Sequence, residues 1–435
     1  MKSRTRLNQH EPHFGLINRI YCHAYYRCAF FVWSLTISCL ASLCLMNGFP
    51  VMTMVQKMYN GGARYTLLAI FFFMLAGSIM QHGGISSRLV EFSKACLGHV
   101  RGGLSIVVLA VCMMFAALSG SSIATTAAIG GMLYPELVKA NYPKGYSAAL
   151  PVAGGTLGIV IPPSIVFVVY GAITGTSISQ LLMSGVIPGL MGGIFMCIYA
   201  YFYARKHNIP SSNEFSWSRL VVATKNAFWA LLMPIIILGG IYTGIFTPTE
   251  SAAVAVIYGL FVAFFIHREL NLRKLKDIVV DSVKGTANIL MIIMAASLFG
   301  YVLTIYQVPT LFTNAVSSFI TGKYSFILFL NILLLFLGMI MDSGAIILIL
   351  APLVYNMAVG YGIDPVHLGC IIVFNLAVGQ ATPPFGNCLF AAIPATKQDI
   401  VTLSKNAFPF VVILFATVLL VSYVPIFAML LPSLM

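Results

Sequence analysis

The chain has 435 residues, of which 60% are hydrophobic and only 8% charged, where a soluble protein carries roughly a quarter charged residues. That excludes a soluble globular enzyme, and the lack of segments alternating in polarity excludes a membrane β-barrel, which leaves a polytopic helical membrane protein. The net charge of +13 does not indicate nucleic acid as a partner, because the basic residues sit in short polar joints between apolar runs, as positive-inside loops do.

In chain order, the start MKSRTRLNQH opens a basic, polar segment over 1–28. Lys2, Arg4, Arg6, Arg19 and Arg27 favour a cytoplasmic start. The first apolar run, 29–46, has no small-x-small cleavage site and reads as an uncleaved span rather than a signal peptide. Further candidate spans are 66–81, 104–118, 181–203, 227–243, 251–266, 286–306, 325–341 and 407–432. Between them lie four apolar but interrupted stretches, 119–135, 147–173, 342–360 and 366–393. A bilayer core of ~30 Å needs about 20 helical residues, so several of these pieces are half-span in length. Two polar amphipathic segments, 85–103 and 267–286, suit either the membrane interface or a cytoplasmic loop helix. Residues 205–226 form the longest polar connector. The nine cysteines are scattered, with no CxxC and no Cys/His ligand spacing; they read as small buried hydrophobes, neither a disulfide framework nor a transition-metal site.

The connector separates two halves of similar order: a first repeat over 29–204 and a second over 227–435. Each runs through apolar spans, an amphipathic helix, a span, a small-residue break, and a span interrupted by Pro-Pro. The first half has SGSSIATTAAIG and then Pro162-Pro163; the second has GMIMDSGAIILIL and then GQATPPFGNCLF. Gly120 and Pro162 are 42 residues apart, Asp342 and Pro383 are 41 apart. Broken helices at corresponding places in two halves point to a transporter's binding site.

Each break has a chemical reading beside a structural one. Thr382-Pro383 reads as an N-cap with proline at the first helical position, and Pro163-Ser164 lies in a similar break. Half-helices starting in mid-membrane aim N–H groups and positive dipole ends inward, where they can hold an anion. The carbonyls freed around 155–161 and 378–381 can coordinate a cation. A kinked packing helix is the structural alternative, and the pairing of two breaks favours the site. SGSSIATTAAIG serves equally as a close helix contact or as a hairpin tip whose Ser121, Ser122 and carbonyls meet an ion. Of the eleven acids, only Glu250 and Asp342 fall deep in apolar sequence. In TPTES, Thr247, Pro248 and Glu250 fit a capping box, a structural role. Asp342 either caps a half-helix or binds a cation. There is no GxxxxGK[ST] loop, nucleophile–base set or paired carboxylate, so neither nucleotide hydrolysis through a P-loop nor other enzymatic catalysis is indicated.

From about residue 46 onward the chain resembles the large membrane subunit of tripartite ATP-independent periplasmic (TRAP) transporters. The resemblance rests on collinear motifs: LLAIFFFMLAGSIMQHGGIS, GHVRGGL, SGSSIATTAAIG, GGTLGIVIPPSIVFVVYGAITGTSISQLLMSGVIPG, GIFTPTESAAVAVIYGL, LGMIMDSGAIILILAPL, GIDPVHLG and NLAVGQATPPFGN. It implies an all-α fold of two inverted repeats with re-entrant hairpins and discontinuous helices, working as an elevator-type, ion-coupled secondary transporter in the bacterial inner membrane. Sodium ions are the implied coupling ions, with no other cofactor. The implied partners are a small TRAP membrane subunit, a periplasmic substrate-binding protein, membrane lipid, and a small carboxylate solute such as a C4-dicarboxylate, sialic acid or sugar acid. Carried onto this chain, the arms fall at 85–103 and 267–286, the hairpins at about 119–135 and 342–360, and the broken helices at 147–173 and 366–393. Ion binding is expected at Gly120, Ser121, Ser122, Asp342, Ser343, Gly379 and Thr382. Substrate binding is expected at Thr156, Pro162, Pro163, Ser164, Pro383, Pro384, Gly386 and Asn387. The chain departs from the family at residues 1–28, where an apolar helix and a Gly-x-Pro turn usually stand; a displaced start or a frameshift accounts for such a front. A stand-alone carboxylate carrier or ion channel that needs no binding protein is the competing reading.

Overall fold

A computed structural model of the chain describes residues 36, 37, 39, 50–209, 216–320 and 322–435. The basic segment 1–28, nearly all of 29–46, and 210–215 of the connector lie outside the described residues. The described residues form helices and no strand. Seven helical stretches among them are long and apolar enough to cross a membrane: Tyr65–His82, Ile178–Lys206, Trp217–Tyr242, Pro248–Ile266, Leu272–Ile305, Ser343–Gly360 and Ile400–Tyr423.

The first repeat begins with α1 (Val51–Gly62), α2 (Leu68–His82), α3 (Ile85–Leu97) and α4 (Gly103–Ser119). α4 ends at Gly120, whose φ of 63° is open to glycine at little cost, and the chain turns directly into α5 (Ser122–Lys139). Then come α6 (Lys144–Gly155), a 3₁₀ turn over Thr156–Ile159, and α7 (Ile165–Thr174). α8 (Ile178–Ser184) and α9 (Val186–Lys206) close the repeat.

α10 (Trp217–Tyr242) and α11 (Pro248–Phe261) open the second. The α11 N-terminus is the capping box read from TPTES: the Glu250 N–H donates to the Thr247 hydroxyl at 3.3 Å, and the Thr247 N–H donates to the Glu250 carboxylate at 2.8 Å. This satisfies two end donors reciprocally, which explains one of the two acids met deep in apolar sequence. α12 (Leu272–Ile305), α13 (Val308–Ser317) and α14 (Lys323–Gly338) lead to the second turn, followed by α15 (Ser343–Gly360). α16 (Pro365–Gly379) and α17 (Asn387–Thr396) flank the second Pro-Pro. α18 (Ile400–Tyr423) and the short α19 (Ile426–Met429) end the chain.

One expectation needs correction. The segment 267–286 is not a separate arm: from Leu272 it runs without interruption into the next span as a single 34-residue helix. No proline divides it, and Gly285 at the join stays helical although glycine costs about 1 kcal/mol against alanine there. Counting back from the second tip, the short helix in the place of α3 is α13, whose sequence VPTLFTNAVS carries no charge.

The chain divides into two compact units, one of Met1–Ala63 with Lys284–Val308, the other of Arg64–Val283 with Pro309–Met435. In the first, Met54, Leu298 and Val302 form a small buried cluster with Cys39. In the second, α4 packs on α6 and, equivalently, α14 on α16. The hairpin arms then cross over. α5 of the first repeat packs on α17 of the second, and α15 of the second packs on α7 of the first. Such an exchange is what two equivalent repeats facing one another produce, and it brings both breaks into one unit.

Candidate transport site

Two turns and two breaks make up the site. α7 and α17 have ten residues each and so extend about 15 Å, half of a ~30 Å hydrocarbon core. Each is therefore too short to cross that core alone, and any part of a break shut away from water must satisfy its backbone groups internally, at several kcal/mol for each left unsatisfied.

At the first break the chain's own hydroxyls supply the missing donors. The Ser122 hydroxyl donates to the Thr156 carbonyl at 3.1 Å, and Ser164 donates to the Ile159 carbonyl at 2.5 Å. The backbone N–H groups of Val160 and Ile161 both go to the Leu157 carbonyl, at 3.0 and 2.9 Å. Ser164 is also the N-cap of α7, its oxygen accepting from the Phe167 N–H at 3.4 Å. The first turn lies directly on this break. A Cβ on Gly120 would stand 2.6 Å from the Pro163 carbonyl, and one on Gly158 the same distance from the Ser121 carbonyl. Every residue from 155 to 164 is buried. The Pro162-Pro163 peptide bond is cis, as is Pro383-Pro384.

The second break is built differently. The Thr382 hydroxyl turns back to the Val378 carbonyl at 2.8 Å, and its N–H goes to the Gly379 carbonyl at 3.0 Å, so Thr382 finishes α16. It does not cap α17: that helix starts at Asn387, with Gly386 at the cap position and no side-chain cap. The reason is that Pro383 and Pro384 precede a further turn, in which the Phe385 N–H bonds the Met339 carbonyl at 3.0 Å and the Cys388 N–H the Gln380 carbonyl at 3.0 Å. Gly379 packs against Gly338, where a Cβ would stand 2.6 Å from the Gly338 backbone. Pro383, Pro384 and Phe385 are exposed, Phe385 by 57%.

Asp342 sits in the second turn as the N-cap of α15. One carboxylate oxygen accepts the Gly344 N–H at 2.9 Å, the other the Asn387 amide at 3.0 Å. Among the described residues no lysine, arginine or histidine pairs with it. Beside it, the Ser343 hydroxyl accepts from the Gln380 amide at 2.8 Å. The Cys388 thiol donates to the other end of the same amide at 3.6 Å. A string of polar groups thus lies beside the second tip. It runs from Cys388 through Gln380 to Ser343, with Asp342 and Asn387 beside it; Ser122 and Thr156 bond each other apart from it, and the buried Thr126 hydroxyl has no hydrogen-bond partner among the described residues.

The sequence of the chain matches the model of the family described as "Tripartite ATP-independent periplasmic transporter, DctM component" over residues 22–427. The chain belongs to this family. The C4-dicarboxylate TRAP transporter large permease protein DctM of Pseudomonas aeruginosa is 42% identical over 400 residues, covering 92% of this chain and 94% of that protein. The sialic acid TRAP transporter large permease protein SiaM of Vibrio cholerae is 34% identical over 402 residues, at 92% and 94% coverage. In fold, the chain is similar to the crystal structure of the Alcanivorax borkumensis YdaH transporter. The TM-score is 0.66 at 14% identity, covering 93% of this chain and 98% of that one. The chain is thus a multi-pass inner-membrane permease and not an enzyme.

Within this permease, the residues expected from sequence are only partly gathered. Ser343 lies on the polar string with Asp342 and Asn387 beside it, and Ser122 bonds Thr156 apart from it. Ser121 caps α5, accepting from the Ala124 N–H at 3.4 Å, and Gly120, Pro162, Pro163 and Ser164 form the sealed first break. Gly379, Thr382 and Gly386 shape the second, with Pro383 and Pro384 on its surface. Two links of the string, Gln380 and Cys388, were not among the expected residues, although both stand inside the motif quoted for the second break. A second buried cluster was also missed. The Asn375 amide donates to the Asn331 carbonyl oxygen at 2.5 Å, and Ser422 donates to the same oxygen at 3.2 Å, tying α14, α16 and α18 together. Its signal was two amides set in otherwise apolar runs, FLNILL and VFNLAV.

Proposed function

We propose that this permease is the large subunit of a sodium-gradient-driven importer of a carboxylate-bearing solute. A periplasmic binding protein delivers the solute, and a small membrane subunit completes the complex. The observation that carries this reading is Asp342: a carboxylate held by neutral donors, without a paired cation among the described residues, at the point where the second tip meets the second break. An acid in such a place favours a cation, and Ser343 and the carbonyls of the turn add the oxygen donors that a hard cation takes. The substrate carboxylate belongs against the N-terminal ends of α5, α7, α15 and α17. Moving one charge through the membrane field is worth about 2.3 kcal/mol per 100 mV, so cotransported sodium drives accumulation without nucleotide hydrolysis. The crossed hairpin arms move together as one transport body in an elevator-type cycle. The solute class follows the relatives, named for C4-dicarboxylates and sialic acid.

The test is uptake into proteoliposomes holding the permease with its small subunit, with binding protein outside and an imposed sodium gradient. Uptake that requires both sodium and the binding protein is the expected result. Uptake by the permease alone, indifferent to either, would establish the stand-alone carrier instead.

A further inference from the structure

Between α3 and α10 the structure opens a cavity of about 520 Å³, lined among others by Glu91, Lys94, Arg219 and Asn226. Farther along the same helix pair lies a second cavity of about 280 Å³, walled by Leu89 of α3 and by Ala230, Pro234 and Leu238 of α10. Met113, Met114 and Leu190 close its far side, together with Ile161, the residue before the first Pro-Pro. Arg219, Ala223, Asn226, Ala230, Pro234 and Leu238 recur every three or four residues, so the two cavities share one stripe of α10. The stripe is polar at one end and wholly apolar at the other. From Asn226 to Leu238 it extends about 18 Å, close to the ~15 Å of a single leaflet's hydrocarbon. Trp217, exposed at the start of α10, marks the headgroup level at the polar end.

The charges at the polar end narrow the occupant. Burial works against the Lys94 charge, but its hydrogen bonds to the Glu136 and Glu91 carboxylates outweigh it and hold its pKa above the ordinary value. Its ammonium sits 2.8 Å from Glu136 and 2.9 Å from Glu91, and is thereby neutralised. Arg219 is exposed and makes no ion pair among the described residues. Glu91 meets Lys94 through one oxygen only, and its side chain is 68% exposed. The mouth thus offers one cation and one carboxylate oxygen to a ligand.

We propose that this groove holds one phosphatidylethanolamine molecule, with its phosphate at Arg219, its ammonium at Glu91 and an acyl chain along Ala230–Leu238 against Ile161. A phosphatidylglycerol headgroup would set its anion beside Glu91 without an ammonium to answer it, and a choline headgroup has no N–H to donate. The acyl chain touches the residue that leads into the first break, so occupancy of the groove supports the packing around that break.

The experiment is native mass spectrometry of the purified, delipidated permease titrated in turn with phosphatidylethanolamine, phosphatidylcholine and phosphatidylglycerol. One tightly retained phosphatidylethanolamine, preferred over the other two, is expected. Glu91→Gln should remove the preference over phosphatidylcholine, and Arg219→Gln should weaken retention of all three by about two- to fivefold, the size of an exposed charge pair. Ala230→Phe, which fills the apolar end, should abolish the tight adduct. Equal retention of the three lipids by the native chain, or unchanged retention by both Arg219→Gln and Ala230→Phe, overturns the proposal. So does a protein segment found in the groove when the purified complex is cross-linked. Arg219 is exposed, so its variant keeps the test independent of whether Ala230→Phe folds. Lipid retention is read without transport, and its outcome is therefore separate from that of the sodium-coupled reading.

Discussion

The two Pro-Pro breaks carry the same sequence pattern and end in opposite environments. The first is sealed: residues 155–164 are all buried, and Ser122 and Ser164 supply its donors. The second leaves Pro383, Pro384 and Phe385 at the surface, next to a carboxylate without a paired cation among the described residues. The chain downstream of each break differs as well. After α7, the missing side chain of Gly185 lets the start of α9 approach the Val160 carbonyl, and Gly189 does the same beside Ile161. After α17, α18 runs for 24 residues with Pro409 inside it. One break is thus buried, and the other is exposed.

Chemical accessibility gives the most direct way to break this comparison. In a background without native cysteines, Phe385→Cys should react to completion with a water-soluble maleimide. Ser164→Cys should stay unmodified under the same conditions. Equal labelling of the two would remove the distinction. The next largest effect is expected at Gly120. Ala there takes on both a left-handed backbone and a contact with the Pro163 carbonyl, and should cost about 2–4 kcal/mol, read as a lower melting temperature of the purified permease. Ser164→Ala should rank third at about 1–3 kcal/mol, because a cap is lost and the Ile159 carbonyl loses its donor. A melting curve unchanged from the native one would show that the first break does not depend on that hydroxyl. Asp342→Asn should be the mildest for stability, under about 1 kcal/mol, since asparagine caps a helix as well as aspartate. Its effect belongs in transport, where the sodium concentration giving half-maximal uptake should rise. A sodium dependence identical to the native protein's would take Asp342 out of the ion site.

How much was legible in the sequence differs from element to element. The capping box at Thr247 and Glu250 could be read because caps are local: their partners lie three residues away. The two breaks could be read for the same reason, since proline removes a donor wherever the chain goes. Thr382 was misread as a cap. Its hydroxyl had two backbone targets, one behind it and one ahead, and only the path of the chain through Phe385 and Gly386 decided between them. The amphipathic pattern of 267–286 reads as a separate arm. Polarity marks where a helix meets water, however, and not where its hydrogen-bond ladder stops.

By itself, then, the sequence determined that this is a helical membrane protein of two related halves, each with a turn of small residues and a proline break. Those features come from composition and from hydrogen bonds between near neighbours, which any chain with these residues must satisfy. Only the tertiary structure decided that the hairpin arms cross between halves, that Gln380 links Cys388 to Ser343, and that one break is buried while the other is exposed. These depend on contacts between residues far apart in the chain, and no local pattern carries the geometry by which two helices come to lie against each other.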